Sequence, residues 1–192
     1  RWRTGGSSFT FSFIWWRKNW QNGSIVLKVD RYYLEINSLK NLNQVISPDQ
    51  NLILEKVDPP DIELNKFFYK NVGKNHRWVD RLLWDNFKWM SYLENKNVHT
   101  YVLKLNEDLV GYFEVIQDFS TNSSEIAYFG ILDDYIGKKF GGYFLSEAIK
   151  ICFKLNSIKV WVHTCSLDHK HALKNYLNRG MKIFKEESIN LA

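Results

Sequence analysis

The stretch Glu125-Ile-Ala-Tyr-Phe-Gly-Ile-Leu-Asp-Asp-Tyr-Ile-Gly-Lys-Lys-Phe-Gly-Gly-Tyr-Phe-Leu145 organises the predicted fold of this chain. Its first seven residues are apolar or aromatic apart from Glu125, which is typical of a buried strand. An acidic pair and a glycine follow, and then apolar side chains recur four residues apart, namely Phe140, Phe144, Ala148 and Cys152. The stretch therefore predicts a strand, a glycine-rich turn and a helix.

A turn of this kind has a chemical consequence. The first backbone N–H groups of a helix have no partner within the helix, and the positive end of its dipole lies at the same point. Residues 136–142 would present these groups next to the end of a strand, where they can bind phosphate. A ligand that carries phosphate is the first functional hypothesis.

Length and charge limit the class of protein. A chain of 192 residues with 16% aromatic and 24% charged residues predicts one globular domain with a sizeable core. The formal net charge is +5, but residues 1–23 carry four basic residues and no acid, which leaves +1 for the rest. A nearly neutral body is a poor match for a polyanion, so we expect no nucleic-acid partner.

Residues 1–23 differ in character from the remainder. Three phenylalanines alternate with polar residues, and three tryptophans follow among basic residues. An arm that stacks on nucleobases or lies on a membrane surface is one interpretation, and an extension or leader without such a role is the other. We therefore divide the chain into an N-terminal extension of unclear role, residues 1–23, and a single domain, residues 24–192.

The cysteines and the hydropathy pattern predict a cytoplasmic protein that does not span a membrane. Cys152 and Cys165 are too few for a disulfide framework. No apolar run approaches the roughly 18 residues of a membrane span. The apolar run from Phe9 to Trp16 lacks the small-residue cleavage site of a signal peptide.

The order of predicted elements indicates an α/β (α+β) domain with a mixed, mostly antiparallel, twisted central sheet flanked by helices. We expect strands at residues 25–36, 52–57, 98–105, 109–117, 125–131, 157–164 and 181–185. We expect helices between Pro60 and Gly73, over residues 137–154 and over residues 168–179. The helix between the strands at 125–131 and 157–164 makes that pair parallel, whereas the preceding hairpin adds an antiparallel partner.

Three motifs in this order resemble the GNAT superfamily of acyl-CoA-dependent N-acetyltransferases, and the resemblance covers roughly residues 50–187. Residues 136–141, Ile-Gly-Lys-Lys-Phe-Gly, are similar to the family's pyrophosphate loop. Ala172, Tyr176 and Gly180 match the spacing of its A-x-x-x-Y-x-x-x-G helix end. The segment from Leu105 to Gly111 is similar to the hairpin that enters the family's third strand.

The resemblance implies acetyl-CoA as co-substrate and no metal. The residues that would bind acetyl-CoA are Phe129, Ile131, Ile136, Gly137, Lys138, Lys139, Phe140, Gly141, Gly142 and His169. Two of them depart from the family pattern, since Ile136 replaces Gln or Arg and Lys139 replaces the first glycine. A lysine at a left-handed position would be strained by about 1 kcal/mol, whereas a right-handed turn would avoid that cost.

The resemblance also implies direct acyl transfer to a primary amine. Tyr176 matches the family's general acid, because a phenol can protonate a thiolate of similar basicity. Glu125 is the candidate general base, with Glu114 on the neighbouring strand as its rival and ordered water as a third choice. Tyr176 could instead be a core residue. Either carboxylate could bind a cationic acceptor without acting as the base.

The segment of residues 76–93 supplies candidate acceptor contacts. It interleaves tryptophans with charged residues, a composition that ligand clefts use, although packing in the core is the competing interpretation. The candidate substrate-binding residues are Trp78, Asp80, Arg81, Trp84 and Glu114. The acceptor could be a small molecule or a protein amine, and a homodimer remains open.

Other functions are less well supported by the sequence. His163, Cys165, His169 and His171 match no zinc spacing, so we expect no metal site. A non-catalytic acyl-CoA-sensing module would follow if the departures at Ile136 and Lys139 impaired turnover. An RNA-binding protein that uses its tryptophans is opposed by the nearly neutral body.

Overall fold

Seven strands form one mixed sheet within residues 27–191, the part of the chain that the computed structural model describes. The extension predicted for residues 1–23 lies outside the described residues. The strands are β1 Leu27–Ile36, β2 Leu52–Lys56, β3 Val98–Leu105, β4 Asp108–Asp118, β5 Ser123–Ile131, β6 Lys159–Cys165 and β7 Lys182–Leu191. Their order in the sheet is β2-β3-β4-β5-β6-β1-β7.

Four α-helices flank this sheet in the described part of the chain: α1 Ile62–Gly73, α2 Asn86–Leu93, α3 Phe140–Lys154 and α4 Ala172–Asn178. The helices α1 and α2 cover one face of the sheet, and α3 and α4 pack on the other. None of the helices within residues 27–191 has the length and apolar character needed to cross a membrane. This architecture confirms the predicted fold class.

The starts of the helices follow local chemistry. Asp61 and Asp85 cap α1 and α2 by accepting hydrogen bonds from the backbone N–H groups of Leu64 and Lys88. The predicted starts of α3 at 137 and α4 at 168 are too early. Asp168 instead accepts hydrogen bonds from the Thr164 hydroxyl and the Cys165 N–H, which tie it to the end of β6.

The order and direction of the four strands from β3 to β6 agree with the sequence prediction. The strands β3, β4 and β5 form an antiparallel meander, and β5 pairs with β6 in the parallel direction. The connection through α3 makes this parallel pairing possible. The side chains that α3 buries against the sheet include Phe144, Leu145, Ala148 and Ile149.

The first strand lies in a position that local sequence patterns do not predict. The strand β1 pairs in the antiparallel direction with both β6 and β7, so β6 and β7 run parallel on either side of it. Leu34 of β1 is completely buried in the main core cluster. The segment nearest the N-terminal end of the described chain therefore completes the half of the sheet formed by its last strands.

A buried ion pair fixes the connection between α1 and α2 on the sheet. Arg81 Nη1 lies 2.8 Å from Glu114 Oε2, and their side chains are 5% and 0% exposed. Tyr92 donates a 2.7 Å hydrogen bond to the same carboxylate oxygen, and Asn65 donates to Oε1 at 3.0 Å. The guanidinium also lies 4.2 Å from the centre of the Tyr128 ring. The connection is therefore held on β4 and β5 by polar and aromatic contacts together.

We predict that Glu114→Ala lowers the free energy of unfolding by about 3–5 kcal/mol, because the Arg81 charge would remain buried without its partner. Denaturant-induced unfolding measures this loss. Glu63→Ala removes a carboxylate from an exposed ion pair on α1 and should change stability little. Equal effects of the two substitutions would contradict the role given to the buried pair.

The residue before α3 has a strained backbone. Lys139 is the N-cap of this helix, and its φ of 66° and ψ of 15° are left-handed. The right-handed alternative raised by the sequence is therefore not the conformation of this turn. A non-glycine residue in this region costs roughly 1–2 kcal/mol, so the family's glycine is missing at a position that favours glycine.

We predict that Lys139→Gly raises the free energy of unfolding by about 0.5–1 kcal/mol, since relief of the strain exceeds the entropy that glycine adds to the unfolded chain. Thermal unfolding measures the gain. Lys138→Gly is the matched control, because φ at Lys138 is not positive and the substitution relieves no strain there. A gain of the same size for both variants would contradict this explanation.

Candidate active site

The strands β5 and β6 separate shortly after they pair. Their parallel register covers only three residue pairs, from Ser123 with Lys159 to Glu125 with Trp161. On the opposite edge of β5, the pairing with β4 passes over Ala127 in a local irregularity. An extra residue of this kind bends a strand and increases its twist. Beyond Glu125, the edge of β5 that faces β6 has no strand partner among the described residues.

A cavity of about 1110 Å³ occupies the space between the diverging strands. It is lined by the second half of β5, by the end of β6, and by the first turns of α3 and α4. Pockets for small molecules usually span roughly 300–1,000 Å³. This cavity is therefore large enough for an extended ligand.

Most of the predicted cofactor-binding residues line the cavity, namely Phe129, Ile131, Ile136, Gly137, Lys139, Phe140, Gly141 and His169. Lys138 and Gly142 do not line it. The Lys138 ammonium lies 4.5 Å from the centre of the Tyr135 ring, and a Cβ at Gly142 would lie 2.9 Å from Arg179 Nη1. The geometry therefore places two of the ten candidates outside the cavity surface.

The N-terminus of α3 is open to an anion. Its first turn contains no acidic residue, and no side chain caps its N–H groups. A Cβ at Gly137 would meet no atom within 4 Å, which shows that space is available beside the turn. Helix N-termini with free N–H groups bind phosphates, so this end of the cavity fits the pyrophosphate of a nucleotide-like ligand.

Arg179 adds positive charge near this turn, although no pattern in the sequence distinguishes it as a site residue. Its Nε and Nη1 atoms are buried and have no hydrogen-bond partner in the described part of the chain. Burial lowers the pKa of the guanidinium. Arg179 ends α4 and reaches Gly142 of α3, a contact between distant segments that only the folded structure displays.

Tyr176 lies on α4 with its side chain at the cavity wall. It is 6% exposed, and its ring centre is 6.4 Å from that of Phe129 on β5. Burial, supported by the negative charge of Asp168, raises the pKa of the phenol. The hydroxyl is therefore protonated at neutral pH and can donate a proton inside the cavity.

Glu125 lies at the point where β5 and β6 separate. Its side chain is 21% exposed and lines the cavity. Burial raises the pKa of this carboxyl, while the positive charge of Arg81 partly opposes the shift. A carboxyl group with a raised pKa exchanges protons more readily near neutral pH than an ordinary glutamate does.

His163 accompanies Glu125 and was not among the predicted catalytic residues. Its Nε2 atom lies 3.8 Å from Glu125 Oε1. Burial lowers the pKa of the imidazole, and the nearby charge of Arg31 lowers it further. The parallel register that pairs Glu125 with Trp161 brings His163 to this position, so the sequence could indicate it only once that register was known.

The structure divides the predicted acceptor contacts into two groups. Trp78, Asp80 and Arg81 line the cavity, whereas Trp84 and Glu114 do not. Trp84 packs edge-on against two aromatic rings of α2, and Glu114 is completely buried. The geometry therefore gives no support to Trp84 and Glu114 as direct contacts of an acceptor.

Asp80 is the carboxylate on the part of the cavity surface that also contains Trp78 and Arg81. Tyr69 and Tyr128 donate hydrogen bonds of 2.8 and 2.9 Å to its two carboxylate oxygens. Partial burial would raise the pKa of Asp80, but these hydrogen bonds and the charge of Arg81 outweigh it and lower the pKa. No ion pair involves Asp80 within residues 27–191.

Histidines gather at the other end of the cavity. The ring centre of His169 lies 6.3 Å from that of His76 and 5.2 Å from that of His171. Over residues 27–191, no three His, Cys, Asp or Glu side chains are grouped so that they could hold a metal ion. These histidines lie together near the start of α4.

Comparisons with known proteins identify the family. The model of the Acetyltransferase (GNAT) family matches residues 62–181. No curated protein matches the chain. Among solved structures, a GCN5-related N-acetyltransferase from Sphaerobacter thermophilus is 14% identical, with a TM-score of 0.65. The alignment covers 86% of this chain and 52% of that protein.

Two further structures have the same fold. A GCN5-related N-acetyltransferase from Kribbella flavida is 13% identical with a TM-score of 0.59, and the match covers 84% of this chain and 56% of that one. An aminoglycoside acetyltransferase from an uncultured soil metagenomic sample is 14% identical with a TM-score of 0.58, covering 69% and 90%.

The chain thus spans about half the length of the Sphaerobacter and Kribbella proteins. At these identities the structural matches establish the fold alone. The family model, in contrast, matches more than half of the chain, and the strand separation, the open helix start and the element order agree with it. The chain belongs to the Acetyltransferase (GNAT) family.

Proposed function

We propose that this protein transfers an acetyl group from acetyl-CoA directly to a primary amine. One observation carries the proposal: the cavity between β5 and β6 brings the open start of α3, Tyr176 and Glu125 to a single space. Membership of the GNAT family supports an acyltransferase. The aminoglycoside acetyltransferase that shares the fold acts on an aminoglycoside according to its name, and aminoglycosides carry amino groups, which is consistent with an amine acceptor.

The cavity fits acetyl-CoA as co-substrate. The free N–H groups at the start of α3 would bind the pyrophosphate, and Lys139 would add positive charge at the same point. The unpaired edge of β5 would present backbone groups of Phe129 and Ile131 to the amide-containing arm. These contacts use mainly backbone atoms, so Ile136 in place of a polar residue is compatible with binding.

Acetyl transfer then requires three proton movements. Glu125 accepts a proton from the acceptor ammonium, directly or through water, and leaves a neutral amine with a free electron pair. The amine nitrogen attacks the thioester carbonyl carbon, a C–N bond forms and the C–S bond breaks. The nitrogen then loses a second proton, to water or to the Tyr176 phenolate, and becomes a neutral amide nitrogen. Tyr176 donates its phenolic proton to the departing thiolate sulfur. Burial raises the pKa of the phenol, so proton donation depends on the closeness of the thiolate in the cavity.

Glu114 is the weaker candidate for the base. Its Oε1 atom accepts a hydrogen bond from Asn65, and its Oε2 atom is bound by Arg81 and Tyr92. It is 0% exposed and has no access to the cavity. Glu125 has both access and a pKa displaced towards neutrality, so the proposed base is Glu125.

We predict that Tyr176→Phe lowers kcat by about 10²-fold or more, because the leaving thiolate loses its proton donor. Acetyl-CoA affinity should remain nearly unchanged, since the ring stays in place. Release of CoA thiol with a panel of amines measures the first effect, and thermal shift with acetyl-CoA and CoA measures the second. Tyr101→Phe is the matched control, because Tyr101 is buried outside the cavity lining.

The outcomes separate the alternatives. Normal turnover by Tyr176→Phe would show that another group is the acid. Stabilisation by acetyl-CoA without thiol release for any amine would favour a non-catalytic acyl-CoA-sensing module. The absence of a thermal shift with both acetyl-CoA and CoA would rule out the enzyme hypothesis and the sensor hypothesis together.

We predict that Glu125→Gln lowers kcat/KM by about 10²-fold and removes the acidic limb from its pH profile. The base must be deprotonated, so kcat/KM of the wild-type protein rises with pH through the pKa of Glu125. Because burial raises this pKa, the limb should lie above the ordinary range of a glutamate. Rates measured from acidic to alkaline pH check this.

Glu147→Gln serves as the control for this experiment. Glu147 is a half-buried glutamate on α3 that pairs with Lys150 and does not line the cavity. It should retain the wild-type profile. A Glu125→Gln variant with unchanged rate and unchanged acidic limb would assign the proton transfer to water or to another side chain.

A further inference from the structure

The wall formed by Trp78, Asp80 and Tyr128 carries the negative charge of Asp80, which forms no ion pair within residues 27–191. Arg81 lies nearby, but its charge is paired with the buried Glu114 at 2.8 Å. In the described part of the chain, the Asp80 carboxylate is held by two phenol hydroxyls and by no cation. A negative charge kept in this way at a cavity wall is suited to a positively charged ligand.

Two aromatic rings flank this carboxylate. Trp78 and Tyr128 both line the cavity, with ring centres 4.9 Å apart in an edge-to-face arrangement. Tyr128 also donates its hydroxyl hydrogen bond to Asp80, so its ring and its polar end serve the same site. Aromatic faces next to a carboxylate are the surroundings that bind alkylammonium groups in proteins.

Asp80 and Glu125 are suited to different tasks in the same cavity. The pKa of Asp80 is lowered, so it stays ionised and is a poor acceptor of protons. The pKa of Glu125 is raised, as a base for an ammonium requires. Glu125 also lies beside His163, with 3.8 Å between Oε1 and Nε2.

We propose that the acceptor is an amine with a second cationic group, and that Asp80 binds this second group beside Trp78 and Tyr128. The reacting amine would approach Glu125, while the other ammonium keeps its charge at Asp80. This inference rests on the proposed acetyl transfer, because it names the acceptor class of the same site. Diamines are the simplest members of that class.

The charges at this end of the cavity argue against other acceptors. A monoamine would leave the Asp80 charge without a partner, and an amine that also carries a carboxylate would be repelled by Asp80 and Glu125. Lys139, Lys170 and Lys174 of the lining lie at the starts of α3 and α4. Arg31, Arg77 and Arg81 line the cavity as well, and Arg81 is paired with the buried Glu114.

Matched amines test the inference. Thiol release is measured for butylamine and 1,4-diaminobutane, and for the corresponding pairs of three and five carbons. With the wild-type protein, kcat/KM for the best diamine should exceed that of its monoamine by about fivefold or more, as one added ion pair provides. The preference should depend on chain length, because the distance between the two carboxylates is fixed.

Asp80→Asn should reduce the ratio of diamine to monoamine kcat/KM to about one, since the amide keeps a hydrogen-bond acceptor for the tyrosines but loses the charge. Glu63→Gln removes the same charge from an exposed position on α1 outside the cavity and should keep the wild-type ratio. Equal use of both amines by the wild-type protein, or an unchanged ratio in Asp80→Asn, would overturn the inference.

A binding measurement tests the second-cation site independently of whether the protein transfers an acetyl group. Titration calorimetry of 1,4-diaminobutane and butylamine into protein saturated with CoA needs no turnover. Tighter binding of the diamine that disappears in Asp80→Asn supports the second-cation site even if no amine is acetylated, in which case only the transferase proposal fails. Binding of both amines with the same affinity would overturn the inference whether or not acetyl transfer occurs.

Discussion

The separation of β5 from β6 after Glu125 is the constraint on which the site depends. Three paired residues hold the two halves of the sheet together at this point, and the irregularity at Ala127 turns β5 away from its neighbour. A sheet that stayed paired would fill the space and satisfy the backbone groups of β5. The interruption leaves both a cavity and an unpaired strand edge, at the cost of hydrogen bonds that a ligand can restore.

The second wall of the cavity needs its own support, because it is formed by the irregular connection between α1 and α2. Burying Arg81 and Glu114 stabilises this connection only while both charges are present, since either one alone would be an uncompensated buried charge. The same arrangement neutralises Arg81 and leaves Asp80 as the free charge at the surface of the wall.

Features set by local sequence were predictable, and those set by long-range register were not. The glycine turn, the helix that starts after Pro60 and the crossover through α3 depend on neighbouring residues, and the structure agrees with them. The place of β1 between β6 and β7, the approach of His163 to Glu125 and the burial of Glu114 depend on pairing between distant segments. The sequence pattern made Glu114 a candidate base. A sequence pattern cannot show that both carboxylate oxygens of Glu114 already accept hydrogen bonds.

Lys139, which replaces the family's glycine, affects the stability of the fold and the binding of an anion in different ways. The left-handed backbone at that position keeps the turn in the shape that leaves the first N–H groups of α3 free. A glycine would adopt the shape without strain, but a lysine in the same shape presents the same N–H groups and adds a positive charge beside them. The substitution therefore weakens the folded state while it preserves the features that bind an anion, and the loss of the family's glycine is no argument against a phosphate-bearing donor.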